Sequence, residues 1–187
     1  MADPFAEWHA EHVNFARLLD LLEGQIAAFH RDEHPNYELM GDIVYYLQSY
    51  GDTVHHPRED VAFARLAARA PAMELTIARV QQEHRVLMTA AEALRNCIAE
   101  ANSDVMAPRA ALEAAAATYL VYYRHHLNTE ERDIMPRAAG LLTQEDWAAV
   151  AAVSPIVSDP LFGHAVEARM MALRQQIATQ AGLGKRR

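Results

Sequence analysis

The residues best suited to chemistry in this chain are histidines. There are ten in 187 residues, and His12, His55, His84 and His126 fall on the apolar faces of helical segments. Two of them have a glutamate four residues on, giving the pairs His55 with Glu59 and His126 with Glu130. In an α-helix, positions i and i+4 lie one above the other, so each pair can aim an imidazole and a carboxylate at one point. The spacing also repeats. Glu11-His12 recurs 72 residues later as Glu83-His84, and His55 with Glu59 recurs 71 residues later as His126 with Glu130. A helix bearing one histidine followed by a helix bearing HxxxE therefore occurs twice, as expected of a two-fold pseudo-symmetric site built half by each helix pair.

Two carboxylates are costly to bury as ions in an apolar core. Two divalent cations remove that cost, because the carboxylates can bridge them while neutral imidazole nitrogens fill the terminal positions. A mixed imidazole and carboxylate set suits iron or manganese and tolerates zinc. Six protein ligands leave vacant positions on a pair of metals, where a small molecule such as dioxygen can bind. A lone histidine on an apolar helix face is more often a hydrogen-bonded core residue. Four in register, with two correctly spaced glutamates and a duplicated spacing, are hard to obtain from packing alone.

Some assignments stay open at this level. His56 with Asp60 also has i,i+4 spacing and competes with His55 and Glu59, and a kink at Pro57 would change which pair points inward. His55 with Glu59 is preferred because it matches the second HxxxE. His125 reads as exposed or as support behind a ligand, His9 as lining the mouth of the site, and His30, His34 and His164 as surface residues. Tyr50, Tyr119, Tyr122 and Tyr123 read as core packing or as hydroxyl donors to a ligand.

The elements that must position these residues are helical. Phe5, Trp8, His12, Phe15, Leu19, Leu22, Ile26 and Phe29 share one face of a first helix, and His30 to Asn36 is a loop. A second helix spans about Tyr37 to Ala68, interrupted by Gly51 and Pro57, with a bend expected at the proline. A third starts near Pro71 and carries Ile77, Val80, His84, Leu87, Ala91, Leu94 and Ile98. After a loop from Ala101 to Pro108, a fourth presents Leu112, Ala115, Tyr119, Tyr122, His126 and Glu130, and Pro136 is expected to end it. Thr143-Gln-Glu-Asp reads as the cap of a short fifth helix, and His164 to about Gln180 as a sixth. The pattern predicts an all-α protein. Residues 1–187 form one domain, an antiparallel up-down four-helix bundle over about 5–136 with one or two extra helices over about 143–182.

Composition narrows the partners. The net charge of −8 and pI near 5.6 repel phosphate backbones, so no nucleic acid is expected. The only cationic cluster, Lys185 to Arg187, reads as a frayed end. Cys97 is the single cysteine, which rules out an intramolecular disulfide and a cysteine-based zinc cluster. The start has no basic stretch followed by an apolar run, and the longest apolar stretch, Ala114 to Tyr123, is too short for a bilayer. A cytoplasmic protein without membrane contact is the expectation. The amphipathic segment Val166 to Ile177 suits either a homodimer interface or packing on its own bundle.

The stretches AEHVNFARLLDLLEGQI, YELMGDIVYYLQSYGDTVHHPREDVAFARL, QQEHRVLMTAAEAL and YRHHLNTEERDIMPRA, in this order, resemble the hemerythrin-like (HHE cation-binding) proteins. The later SDPLFG resembles a segment that follows the bundle in many bacterial members, so the likeness covers about residues 5–165. It implies an antiparallel four-helix bundle around two iron ions joined by an oxo or hydroxo group. His12, His55, Glu59, His84, His126 and Glu130 would be the ligands and the two glutamates would bridge. Manganese or zinc are alternatives as isolated. The oxygen carriers of the family have HxxxH on the third helix, where this chain has Met88. They also have an aspartate five residues after the fourth-helix histidine, where this chain has Glu131, with Glu130 completing HxxxE.

The chain thus resembles the branch with four histidines and two glutamates, whose irons are more open. Reaction with dioxygen, nitric oxide or peroxide then fits better than simple reversible carriage. Three functions remain in view. They are binding of a small diatomic ligand, an enzyme for nitric oxide or peroxide detoxification or iron–sulfur repair, and metal storage or a structural bundle. Ferritin-like storage uses ExxH twice, and no Glu-x-x-His occurs here.

Overall fold

The computed structural model describes residues 4–31, 33–102, 109–153, 159–163 and 166–184. His164, Lys185 to Arg187, Ser158 and most of the Ala101–Pro108 loop lie outside the described residues, as does the side chain of His30. Helix α1 runs Pro4–Ala28, α2 Tyr37–Tyr46, α3 His56–Arg69, α4 Glu74–Ala101, α5 Arg109–Thr129, α6 Met135–Leu141, α7 Gln144–Ala151 and α8 Met171–Gly184. No strand occurs among the described residues. Two wider-turned, π-helical segments, Leu47–His55 and Glu130–Ile134, join α2 to α3 and α5 to α6. The bundle therefore consists of α1, the α2–α3 run, α4 and the α5–α6 run.

Pairings along these helices fix their directions. Glu11 meets His55 while Gln25 meets Asn36, and His12 meets Glu131 while Asp20 meets Arg124. Helix α1 is thus antiparallel to both of its neighbours. The polar start of α2 is fixed by Asn36, whose side-chain oxygen accepts the Leu39 N–H at 2.9 Å.

The expected bend at Pro57 takes another form. Pro57 sits in the first turn of α3, and the irregularity lies upstream of it, where the His56 N–H reaches back to the Gly51 carbonyl. A proline ring collides with the carbonyl four residues earlier in a regular helix. Widening the preceding turns moves that carbonyl aside. The same solution recurs at Pro136, which was expected to end the fourth helix. There the Met135 N–H reaches the Glu130 carbonyl, and the chain stays helical to Leu141.

All seven expected residues of α4 are buried. On α5 the expected face needs one correction: Tyr122 is exposed, and Tyr123 takes the inward position beside Ala116, Tyr119, Leu120 and Leu127. The apolar side chains form two clusters. One centres on Phe15, Leu19, Met40, Leu47, Leu94 and Tyr119. The other centres on Trp8, Phe63, Leu66, Ile77, Val80 and Ile134. The buried histidines and glutamates make contact with both: Phe15 lies edge-on to His55 at 4.8 Å, and Phe63 stacks on His84 at 6.1 Å.

The C-terminal helices pack on the bundle. Thr143 and Asp146 form a reciprocal cap on α7, and Asp146 also accepts the Arg69 guanidinium at 2.7 Å. Asp159 accepts the backbone N–H groups of Leu161 and Phe162 and the Tyr46 hydroxyl, which seats fully buried Leu161 in the core. Leu173 and Met170 bury the inner face of the last helical segment, as expected for packing on its own bundle. No helix is long and apolar enough to cross a membrane among the described residues.

Phe15 is fully buried and touches His55, Tyr46, Tyr50 and Tyr123. Phe15→Ala is therefore expected to cost about 3–5 kcal/mol, read from the midpoint of urea unfolding. Val121→Ala on the exposed face of α5 should change stability by less than about 0.5 kcal/mol.

Candidate metal centre

His12, His55, Glu59, His84, His126 and Glu130 come together in the bundle interior, each less than a tenth exposed. Glu59 spans the group. Its Oε1 lies 3.1 Å from His12 Nε2 and 2.9 Å from His55 Nε2, and its Oε2 lies 3.4 Å from His84 Nε2. Glu130 spans it the other way. Its Oε1 lies 3.2 Å from His126 Nε2 and 3.9 Å from His84 Nε2, and its Oε2 lies 3.5 Å from His12 Nε2. Each glutamate thus reaches imidazoles of both helix pairs. Trp8 closes one side by donating its indole N–H to Glu59.

Behind these six residues runs a second set of carboxylates. Glu11 holds His55 Nδ1 at 2.6 Å, and Glu83 lies 3.4 Å from His126 Nδ1. Asp60 lies 3.3 Å from His84 Nδ1, and Glu131 holds His12 Nδ1 at 2.8 Å. The four links run from α1 to the end of the Leu47–His55 segment, from α3 to α4, from α4 to α5, and from the segment after α5 back to α1, closing a ring around the bundle. A carboxylate on Nδ1 keeps the N–H there and leaves the Nε2 lone pair facing inward, which orients and strengthens a metal-binding imidazole. Glu11 is itself held by the Tyr50 hydroxyl at 2.7 Å and by Arg58 at 2.6 Å. Sequence reasoning singled out the repeated Glu-His dipeptides only as spacing. The acidic neighbours of the two glutamates, Asp60 and Glu131, were visible as a second repeat in Glu59-Asp60 and Glu130-Glu131.

The structure turns the preferred pair, His55 with Glu59, inward and splits the rival pair. His55 and Glu59 both point inward, Asp60 stays nearly half exposed behind His84, and His56 is also buried. His125 is exposed and lies 3.6 Å from Glu83, His34 is exposed, and His9 is a half-exposed partner of Glu131 near the start of α1. Met88, which stands where the oxygen carriers have histidine, is half exposed. Tyr123 is buried with an unpartnered hydroxyl, and a Cβ on Gly51 would approach that oxygen to 3.2 Å, so glycine leaves it room.

The interior is short of positive charge. Glu59 Oε2, both Glu130 oxygens and the Nε2 atoms of His56, His84 and His126 are buried without a hydrogen-bond partner. Each such atom ordinarily costs about 1–3 kcal/mol. Protons are drawn in to compensate. Burial opposes charge on His12, but Glu131 and Glu59 raise it to about 10. Burial likewise opposes charge on His84, but Asp60, Glu130 and Glu59 raise it to about 11. Glu59 is held well below the usual carboxylate range, because His55, His12 and His84 outweigh its burial. Glu11, despite burial, is pulled down to about 2 by His55 and Arg58. His56 goes the other way: burial pushes it down to about 4 and leaves it neutral. Nitrogen and oxygen donors in these numbers, with orphaned lone pairs facing one another, fit divalent cations of the iron, manganese or zinc type.

A helical bundle with paired HxxxE motifs converging on such a cluster defines a class, the cation-binding bundles. The hemerythrin family, described as the hemerythrin HHE cation binding domain, matches residues 3–138. The chain belongs to this family, and a metal-ion-binding role follows from that membership and the histidine–glutamate cluster. No curated protein and no solved structure matches the chain.

Because His12 and His84 carry raised values of about 10 and 11, both hold protons at neutral pH until a cation displaces them. The ion pairs they make stabilise the cation-free fold below pH 6.5, and that stability is lost as pH rises through those values. Zinc(II) binding at pH 7 should release at least two protons per chain, since His55 is raised as well, and should tighten as pH rises toward 10. Calorimetry in buffers of different ionisation enthalpy reads the number directly, and a pH-independent affinity would contradict the assignment.

Proposed function

We propose that this chain is a non-haem di-iron protein whose centre binds or reacts with a small oxygen or nitrogen species: dioxygen, nitric oxide or peroxide. His12 and His55 with Glu59 would hold one iron, and His84 and His126 with Glu130 would hold the other. The observation that carries the reading is the reach of the two glutamates, each of which turns one oxygen to imidazoles of one helix pair and the other oxygen to an imidazole of the other pair. A carboxylate placed that way serves two cations at once. Bound iron supplies open coordination positions and electrons for a small ligand, which a side chain alone does not.

The residues around the site set its conditions. Phe15, Phe63 and Trp8 line it with apolar surface, so water is kept from the buried donors. The outer carboxylates fix the tautomer of each imidazole, so that Nε2 is the free nitrogen. The Tyr123 hydroxyl is buried and unpartnered, its ring 6.3 Å from that of His126, and it is the residue placed to donate a hydrogen bond to a small ligand. From buried His12, Glu131 and half-exposed His9 form a hydrogen-bonded path that leads a proton toward the surface.

The test is optical. Protein purified without oxygen and loaded with iron(II) is exposed separately to air, nitric oxide and peroxide. At least one should produce near-ultraviolet and visible iron(III) or iron–nitrosyl absorption, and Glu130→Ala should abolish it. Full reversal under vacuum would make the centre a carrier, and repeated turnover with a reductant would make it an enzyme. Iron-loaded protein whose spectrum is indifferent to all three would contradict the proposal.

A further inference from the structure

His56 is not used by the six-residue site, yet it is wired like its members. Its ring is 4% exposed, and its Nε2 faces the cluster with no hydrogen-bond partner. Its Nδ1 lies 3.2 Å from a carboxylate oxygen of Asp52, one turn back on the same helical run. His12, His55, His84 and His126 each show that arrangement, with Nδ1 on a carboxylate and Nε2 inward. The exposed His125 does not: it offers Nε2 to Glu83 on the outside. The ligand atoms of His56, Glu59, His84 and His126 all lie within 4.8 Å of one another, while His12, His55 and Glu59 form a second such group.

We propose that His56 Nε2 is a fifth imidazole ligand, held in place by Asp52, and that it serves the cation bound by His84 and His126. This rests on the two-cation reading above. The centre then has unequal halves. One cation has two imidazoles, from α1 and the end of the Leu47–His55 segment, and the other has three, from α3, α4 and α5.

The local backbone explains how neighbouring residues both reach the interior. Adjacent residues on a regular helix point about 100° apart, which would leave one of them off the core face. The wider turns of Leu47–His55 place His55 at the end of one register and His56 at the start of the next. The rings confirm the convergence: His56 stacks on His84 with centroids 4.2 Å apart and planes 11° from parallel, and lies 5.5 Å from His126. A merely structural histidine in this position would need a partner for Nε2, and the neighbouring donors and acceptors leave it none. Helix α4 does not offer a competing nitrogen one turn on from His84, because Met88 there faces outward beside Asp52 and Arg85 on a surface cleft.

Cobalt(II) is the probe, because imidazoles bound to it through Nε2 give strongly shifted Nδ1–H proton signals that vanish in deuterium oxide. The full chain loaded with cobalt(II) should show five such exchangeable signals, and His56→Gln should show four while weakening the second cobalt at least tenfold. Asp52→Asn keeps the imidazole but removes its acceptor. It should retain five signals with one displaced, and it serves as the working variant should His56→Gln fail to fold. Four signals in the unmodified chain, unchanged in His56→Gln, would overturn the proposal and leave the six-residue centre standing. An unmodified chain that takes up no cobalt and shows no shifted signals would overturn the two-cation reading itself.

Discussion

The constraint on which the rest of this structure depends is the burial of Glu59 and Glu130. Both carboxylates are 2% exposed or less, inside a bundle whose core is otherwise leucine, tyrosine and phenylalanine. An ionised carboxylate in such surroundings is tolerated only with compensating positive charge. Every nearby feature follows from that need. Imidazoles from each of the four runs of the bundle surround the two side chains, outer carboxylates steady the imidazoles, and Arg58 neutralises one of those outer groups. Two apolar clusters border this polar layer and give it fixed walls. Without cations, protons on His12 and His84 supply part of the missing charge, which makes the metal-free protein folded in principle but electrostatically incomplete.

The two π-helical segments are the second structural device, and they act on the same layer. Each ends two residues before a proline, at Pro57 and at Pro136, and each lies within a helix that carries HxxxE. Wider turns accommodate the proline without ending the helix, and they rotate the side chains that follow. Leu47–His55 in this way presents two consecutive histidines to the interior. Segments of this type are often found where function requires a local departure from regular helix.

Much of this was legible in the residues. His12, His84 and the two HxxxE pairs could be placed because i,i+4 spacing on a regular helix needs no knowledge of packing. The capping box at Thr143 and the buried face of α4 were legible for the same reason. Tyr122 and Tyr123 are symmetric with respect to Tyr119 and His126, so spacing alone did not separate them. The larger neighbours Leu120 and Leu127 decide for Tyr123. His56 was placed as a rival to His55 rather than its companion, because a fixed helical period assumes one register through Leu47–His55. The repeat marks Asp60 and Glu131, but not the imidazoles they support, since their partners lie on other helices and which helices are neighbours is a property of the assembled bundle.

The most direct measurement is diffraction from crystals of the iron(II)-loaded protein, recorded on both sides of the iron absorption edge. The account predicts two anomalous peaks inside the bundle, between Glu59 and Glu130, one bordered by His12 and His55 and the other by His84 and His126. A single peak, or iron confined to surface carboxylates with the buried cluster empty of metal, would contradict it.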